Sequence, residues 1–222
     1  LVEVMRRAGE LKMVVGLHAE DRDLVQSRTA GLQTLGRHDA KAYYEARSDP
    51  AEIDGIRHGA DIARETNCAL HIVHVGSGKG AEIAIDARKN GANITLETCP
   101  HYLEFSHEDL VTKGAVLKTA PVVKTKDDSV KLWKYLTDGG INFVASDHAP
   151  CQPKEKETNS TWTDYNGISG TELLFPYMLS EGYSRGRLTL ARLIEVTSSD
   201  AAKRFGLYPR KGAIAVDTDA DF

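Results

Sequence analysis

The sequence has few cysteines, no long apolar run and no excess of one charge. Its three cysteines, Cys68, Cys99 and Cys151, are an odd number, lie far apart and form no CxxC motif. They predict neither a disulfide framework nor a thiolate zinc site, and they favour a reducing, cytoplasmic compartment. No stretch reaches the roughly 18 apolar residues of a membrane span, and the start lacks the pattern of a signal peptide.

The charges of the chain nearly balance, with 28 Lys and Arg against 32 Asp and Glu, a net charge of -4. The basic residues are scattered, so we expect neither a nucleic acid nor an anionic membrane as partner. The 222 residues are 41% hydrophobic and 27% charged. These values predict a globular domain with a buried core and exclude a disordered or coiled-coil chain.

Short apolar runs alternate with amphipathic segments, a pattern typical of repeated strand–helix units. The predicted strands span residues 13–17, 70–75, 94–97 and 141–145. The predicted helices span about 50–65, 81–89, 130–136, 171–180, 189–195 and 200–205. This is a parallel α/β fold, either a small doubly wound sheet or part of a (β/α)8 barrel. Because a whole barrel takes about 250 residues, a chain with four strands would supply about half of one.

Three of the predicted strands lead into a residue that can bind a metal ion. His18 ends the first strand, His74 lies at the end of the second, and Asp147 follows the fourth. The carboxyl ends of parallel strands share one edge of the sheet, so we expect these side chains to converge there. Imidazole and carboxylate groups suit zinc or a similar divalent ion, which lowers the pKa of a bound water.

Each of these residues also has a structural interpretation, since a single histidine at a strand end is more often a hydrogen-bonded structural residue than a ligand. His71 and His74 lie three positions apart on one predicted strand and therefore face opposite sides. We favour His74 because it lies nearer the end of the strand. His148 points away from Asp147 and is a candidate for substrate contact. His101 is predicted to lie in a loop, either at the surface or next to the residues that would bind the metal.

Four segments form an ordered set of motifs along the chain. They are Gly16-Leu17-His18-Ala19-Glu20, Leu70-His71-Ile72-Val73-His74-Val75, Glu97-Thr98-Cys99-Pro100-His101-Tyr102 and Ala145-Ser146-Asp147-His148-Ala149-Pro150. Together they resemble the cyclic amidohydrolases, the dihydroorotase, allantoinase and hydantoinase/dihydropyrimidinase group of the amidohydrolase superfamily. The stretches 201–207, 211–214 and 219–221 are similar to the family's exit from its barrel, so the resemblance covers essentially the whole chain.

The resemblance implies a partial (β/α)8 barrel, strands five to eight with their helices, over residues 1–210. Residues 211–222 would begin the exit segment towards a β-sandwich domain. It also implies two divalent metals, usually zinc, bridged by a carboxylated lysine and a hydroxide. His18 and His74 would hold the more exposed metal, and Asp147 would bind the buried one and act as general base.

Some of the family's metal ligands are not in this sequence. The HxH pair of the first barrel strand and the lysine that becomes carboxylated are both absent from it. We therefore expect the sequence to be the second half of a longer protein, with little activity and weak metal affinity alone.

The activity that the resemblance implies is hydrolysis of the C–N bond of a small cyclic amide, of ureide or pyrimidine type. A metal-activated hydroxide attacks the ring carbonyl. Asn166 resembles the residue whose backbone holds the ring's amide edge in hydantoinases, whereas Ala120, in the substrate loop, favours an allantoinase. His148 is the third candidate for substrate contact. These signals conflict, so no single substrate is predicted.

The family also implies a homo-oligomer. The alternative function is that of a non-catalytic relative, which keeps the barrel as a scaffold or assembly partner, since fold alone does not prove function.

Overall fold

A computed structural model describes residues 1–220, and within them one parallel sheet of four strands forms the centre of the fold. The strands are β1 (Val14–Leu17), β2 (Ala69–Ile72), β3 (Ile94–Thr98) and β4 (Phe143–Val144). They pair in the order β1-β2-β3-β4, and every pair is parallel. The predicted parallel α/β fold is confirmed. Because crossover connections are right-handed, this unreversed order places the connecting helices on one face of the sheet.

Helices fill the connections between the strands. The helices are α1 (Val2–Glu10), α2 (Arg22–Thr34), α3 (Ala40–Ala46), α4 (Asp49–Thr66), α5 (Gly78–Lys89), α6 (Pro100–Glu104), α7 (His107–Lys113), α8 (Lys126–Thr137), α9 (Thr171–Tyr177), α10 (Leu190–Ile194) and α11 (Asp200–Arg204). Helices α9 and α10 continue as π-helical turns over Met178–Ser184 and Glu195–Ser199. None of the helices in residues 1–220 has the length and apolar character needed to cross a bilayer.

The two faces of the sheet differ in polarity. Leu70 pairs with Ile94 and Ile72 with Leu96, and these four side chains are at most 2% exposed. Leu17 and Leu70 face α4, where a Cβ on Gly59 would overlap Cδ2 of Leu17 and lie 3.7 Å from Cδ2 of Leu70. Burying each such side chain contributes about 1.5–3 kcal/mol. Since side chains alternate along a strand, the opposite face carries the residues in between, which are Gly16, His71, Thr95, Glu97 and Phe143.

Three strands are shorter than the sequence predicts: β1 by one residue, β2 and β4 by more, and local backbone features account for the larger differences. The side-chain oxygen of Asn142 accepts from the backbone N–H of Leu96 at 3.0 Å, which replaces a ladder bond, so β4 begins at Phe143 instead of residue 141. β2 ends at Ile72 instead of residue 75, because His74 adopts a left-handed backbone with φ of 43°. Both strands still end at the same edge of the sheet.

The polar stretch between His18 and Pro50 contains two helices that the sequence pattern does not predict. Each begins with an aspartate whose side chain accepts a backbone N–H: Asp21 from Leu24 at 2.8 Å and Asp39 from Ala42 at 2.9 Å. Such caps stabilise a helix start by about 1 kcal/mol. Along α2 the only buried side chain is that of Val25. The apolar periodicity that signals a helix is therefore weak there.

The loop that follows β1 packs directly on the first turns of α4. The N–H of Asp21 donates to the carbonyl of Ala51 at 2.7 Å. One turn further along α4, Gly55 lies so close to the loop that a Cβ would be 2.6 Å from the carbonyl carbon of Ala19. The loop that follows His18 is thus held against α4 by backbone contacts.

Gly55→Ala should destabilise the chain, because the new Cβ would overlap the backbone of Ala19, which has little freedom to move. Overpacking of this kind costs about 1–3 kcal/mol. The matched control is Gly31→Ala in α2, where a Cβ meets nothing within 4 Å. That variant should be neutral or more stable by about 0.5–1 kcal/mol. Urea unfolding followed by circular dichroism measures both, and a Gly55→Ala variant as stable as wild type would contradict the contact.

Candidate active site

His18 and His74 lie side by side at the carboxyl edge of the sheet. His18 directly follows β1, and His74 lies two positions after the end of β2. Their nitrogens Nδ1 of His18 and Nε2 of His74 are 3.0 Å apart, and the ring centroids are 4.8 Å apart. The side chain of His18 is 45% exposed, whereas His74 is 8% exposed. Two of the three predicted metal ligands are therefore in contact.

The backbone is unusual at His74 and at Asp147, the third predicted ligand. Their φ angles are 43° and 46°, in the left-handed region that few residues other than glycine adopt. Each lies just beyond the carboxyl end of a strand, His74 after β2 and Asp147 after β4. Backbone strain of this kind is concentrated at functional sites. The two outliers therefore mark this edge of the sheet as a candidate site.

The environment of His74 favours its neutral form. Burial lowers the pKa of His74 below 6.5, and the neighbouring His18 lowers it further. The negative charge of Asp147 opposes this change, so Asp147 lies close enough to His74 to act on it electrostatically. A neutral imidazole keeps the lone pair that a metal ion requires.

The histidine pair fits part of a metal site. Two nitrogens bound tetrahedrally to zinc at about 2.0–2.1 Å would be roughly 3.3 Å apart, close to the 3.0 Å between Nδ1 of His18 and Nε2 of His74. Nδ1 of His74 is buried without a hydrogen-bond partner. Across residues 1–220, no three His, Cys, Asp or Glu side chains gather closely enough to hold one ion. The pair presents two nitrogens, and a complete metal site requires more groups than these.

Glu20 orients His18 from behind. The carboxylate oxygen Oε2 of Glu20 lies 2.9 Å from Nε2 of His18 and also forms an ion pair with Arg47. Burial alone would raise the pKa of Glu20, but the hydrogen bond to His18 and the charges of Arg47 and Lys124 outweigh it and lower the pKa below 4.5. An ionised Glu20 accepts the Nε2–H of His18 and leaves its Nδ1 lone pair free, as is typical of metal-binding histidines.

The predicted substrate residues Ala120 and Asn166 belong to two segments that meet at one side chain, Tyr43. The Tyr43 hydroxyl is 2.9 Å from the carbonyl oxygen of Thr119, next to Ala120, and 2.8 Å from Oδ1 of Asn166. The guanidinium of Arg47 lies over the Tyr43 ring, 5.5 Å from its centroid. Tyr43, Arg47 and Glu20 therefore form an indirect link between these segments and His18.

Comparison with known proteins identifies the family of the chain. The sequence profile of the Amidohydrolase family matches residues 1–222. The chain belongs to the amidohydrolase family. The resemblance seen in the four motifs is confirmed.

The amidohydrolase relatives carry more specific names. An allantoinase of Solibacter usitatus is 38% identical over 221 residues, which are 100% of this chain and 48% of the allantoinase. An L-hydantoinase of Paenarthrobacter aurescens is 32% identical over 223 residues, 100% of this chain and 49% of the hydantoinase. The structure of a D-hydantoinase (dihydropyrimidinase) from Thermus sp. has a TM-score of 0.96 and 28% identity, covering 99% of this chain and 49% of that one. The chain spans about half the length of these relatives.

Two other histidines of this amidohydrolase chain make structural contacts. His71 is 2% exposed and bonds Oγ1 of Thr95 at 2.9 Å and Oε2 of Glu97 at 3.1 Å, so both of its ring nitrogens are engaged away from His74. Nδ1 of His148 accepts the backbone N–H groups of Gly170 at 3.0 Å and Thr171 at 3.2 Å, which fixes the start of α9. Its role in substrate contact stays a prediction.

His101 differs from the sequence-based prediction of a loop. It lies in helix α6, which Pro100 begins, and it is 5% exposed. Burial and, second, the charge of His74 lower the pKa of His101 from 6.5 to about 3. Its Nε2 has no hydrogen-bond partner, and the ring lines a cavity of about 520 Å³ together with Ser146 and Gly170. His101 is therefore a neutral, buried neighbour of the histidine pair.

Sequence reasoning assigned no role to Glu20, Arg47 or Tyr43. Glu20 could have been found, because it stands two positions after His18 within one of the four motifs. Arg47 and Tyr43 lie on or next to α3, one of the helices that the pattern does not reveal. No sequence signal connects them with residues more than 70 positions away.

Acid should destabilise this chain through His101. Because its folded pKa of about 3 lies below 6.5, the unfolded state binds more protons between these values, and stability falls as the pH drops below 6.5. Lowering the pH from 7.5 to 5.5 costs about 1.4 kcal/mol through this one group. Between these two pH values the free energy of unfolding of His101→Gln should fall by about 1.4 kcal/mol less than that of wild type. The free energy of unfolding of His58→Gln, at an exposed position of α4, should fall as much as that of wild type. Urea unfolding at both pH values measures this, and equal losses in all three proteins would contradict it.

Proposed function

We propose that the chain is the second half of a catalytic (β/α)8 barrel, strands five to eight with their helices over residues 1–210. Two observations support this: the strand order runs without reversal, unlike that of a doubly wound sheet, and the chain spans about half of its relatives. Residues 211–222 would begin the exit segment towards a β-sandwich domain. The last two of them lie outside the described residues.

The parent protein would hydrolyse the C–N bond of a small cyclic amide, of ureide or pyrimidine type. The observation that carries this proposal is the approach of Nδ1 of His18 to Nε2 of His74 at the carboxyl edge of the sheet. The names of the relatives, allantoinase and hydantoinase, support the substrate class.

The residues of this chain would hold parts of two divalent sites, occupied by zinc. His18 and His74 would bind one ion and Asp147 the other, with the carboxylated lysine and further ligands coming from elsewhere in the parent. Such an ion supplies a bound water that ionises near neutral pH. Because each site is incomplete in this chain, the chain alone should bind metal weakly and have little activity.

Each side chain of this site would then have its own role in the reaction. Glu20 keeps Nδ1 of His18 free to bind metal. Asp147, as general base, takes a proton from the attacking water while the oxygen–carbon bond forms, and it returns that proton to the ring nitrogen as the C–N bond breaks. The backbone of Asn166, the small side chain of Ala120 and the imidazole of His148 would contact the ring.

The setting of the parent protein is part of the same proposal. All three cysteines are free thiols, and Cys68 and Cys99 are buried, which supports a reducing, cytoplasmic compartment. We also propose a homo-oligomer.

In the full-length parent, His18→Asn and His74→Asn should each lower hydrolysis roughly 100-fold or more, because removing a ligand disrupts the metal site more than the 10–100-fold effect of altering a supporting residue. Dihydroorotate, allantoin, dihydrouracil and hydantoin are the substrates to assay, with and without a chelator. His58→Asn, at an exposed position of α4, serves as control and should keep wild-type activity.

Chelation should abolish turnover, and added zinc should restore it. Turnover of none of the four amides would contradict the proposal and favour the non-catalytic scaffold. Turnover that the chelator does not affect would equally refute the metal-dependent mechanism.

A further inference from the structure

A buried ion pair lies between the two histidine-bearing loops. Glu52, in the first turn of α4, and Lys124, just before α8, are each 1% exposed, and Oε2 of Glu52 is 3.3 Å from Nζ of Lys124. Burial raises the pKa of Glu52, and Lys124 opposes that rise. A buried ion pair adds little net stability, because desolvation offsets the attraction. Stability alone therefore does not explain why this pair is present.

Glu52 holds the loop that carries His74. Its Oε1 accepts the backbone N–H groups of Gly76 at 2.7 Å and Ser77 at 3.1 Å, two and three positions after His74. Gly76 also packs against the ring of Tyr102, where a Cβ would lie 2.9 Å from two ring carbons. The carboxylate and the ring both contact the loop immediately after the left-handed backbone of His74.

Lys124 is linked to His18 through Arg47, the residue that directly follows α3. Its Nζ donates to the carbonyl oxygen of Arg47 at 2.8 Å. The guanidinium of Arg47 forms an ion pair with Glu20, and Glu20 lies 2.9 Å from His18. Lys124 therefore fixes the residue that holds the supporting carboxylate of His18.

These contacts form a closed path between the two imidazoles. From His74 the path runs through the amides of Gly76 and Ser77, then Glu52, Lys124, Arg47 and Glu20, and it ends at His18. The facing nitrogens of the two histidines, 3.0 Å apart, close it. The Glu52–Lys124 pair joins the arm that starts at His74 to the arm that ends at His18.

We propose that Glu52 and Lys124 are positioning residues that hold the two histidine loops in register, so that Nδ1 of His18 faces Nε2 of His74. The importance of this register rests on the proposed function, in which the two nitrogens bind one metal ion. The proposal itself concerns the geometry of the loops and is testable without turnover.

The test uses the full-length parent, stripped of metal and labelled at histidine. Nuclear Overhauser contacts between the rings of His18 and His74 report their approach, and amide exchange of a peptide containing Gly76 and Ser77 reports the loop. The variants are Glu52→Leu, which removes the oxygen that accepts the two backbone N–H groups, and the double variant Glu52→Leu/Lys124→Met, which leaves no unpaired buried charge and so folds more readily than the single variant.

The matched control is Asn142→Ala. The side-chain oxygen of Asn142 also accepts from a backbone N–H, that of Leu96 at 3.0 Å, and from a cation, Arg88 at 2.9 Å, but it lies just before β4 and takes no part in the path between the histidines. This variant should lower the melting temperature and leave the ring contact and the exchange rate of the 76–77 peptide unchanged.

We expect both Glu52 variants to lose the ring contact and to exchange the Gly76 and Ser77 amides at least 10-fold faster. If the single variant does not fold, the double variant decides. A folded double variant with the wild-type ring contact and exchange rate would overturn the proposal, as would absence of the contact in wild type. Failure of the proposed function gives a different result: the ring contact is intact in wild type, yet the parent hydrolyses none of the four amides.

Discussion

The candidate site depends on the approach of two imidazoles that are 56 positions apart in the sequence. The parallel register of β1 and β2 brings them together, because Leu17 pairs with Ile72 and both strands therefore end at the same height. Helix α4 then fixes the loops that follow, through backbone contacts to Ala19 and Asp21 and through the carboxylate of Glu52. The sheet sets the approximate position of the histidines, and buried polar contacts of the loops set the exact distance between their rings.

The strands and the histidines at their ends could be predicted because their signals are local. Buried runs such as Leu70 to Ile72 are apolar and continuous, as expected for a parallel sheet covered by helices. A strand that ends in histidine or aspartate places that residue at the carboxyl edge whatever the details of packing. The approach of His18 and His74 to one edge of the sheet therefore follows from strand order, and four short motifs were enough to recognise the family.

The remaining features depend on tertiary contacts that a single sequence does not display. Helices α2 and α3 have little apolar periodicity, and their aspartate caps resemble ordinary loop residues. Glu52 and Lys124 are charged, and charged residues are usually expected at the surface, yet both are 1% exposed. His101 follows a proline that suggests a loop, but Pro100 occupies the first turn of a short helix and directs His101 into the interior.

The most direct test of the central claim is anomalous diffraction at the zinc edge from crystals of the full-length parent. We expect an anomalous peak about 2.0–2.1 Å from both Nδ1 of His18 and Nε2 of His74, with Glu20 bonded to the opposite nitrogen of His18. A peak bound to other residues, or zinc-containing crystals in which the two imidazoles turn away from each other, would contradict the claim that these histidines share one metal ion.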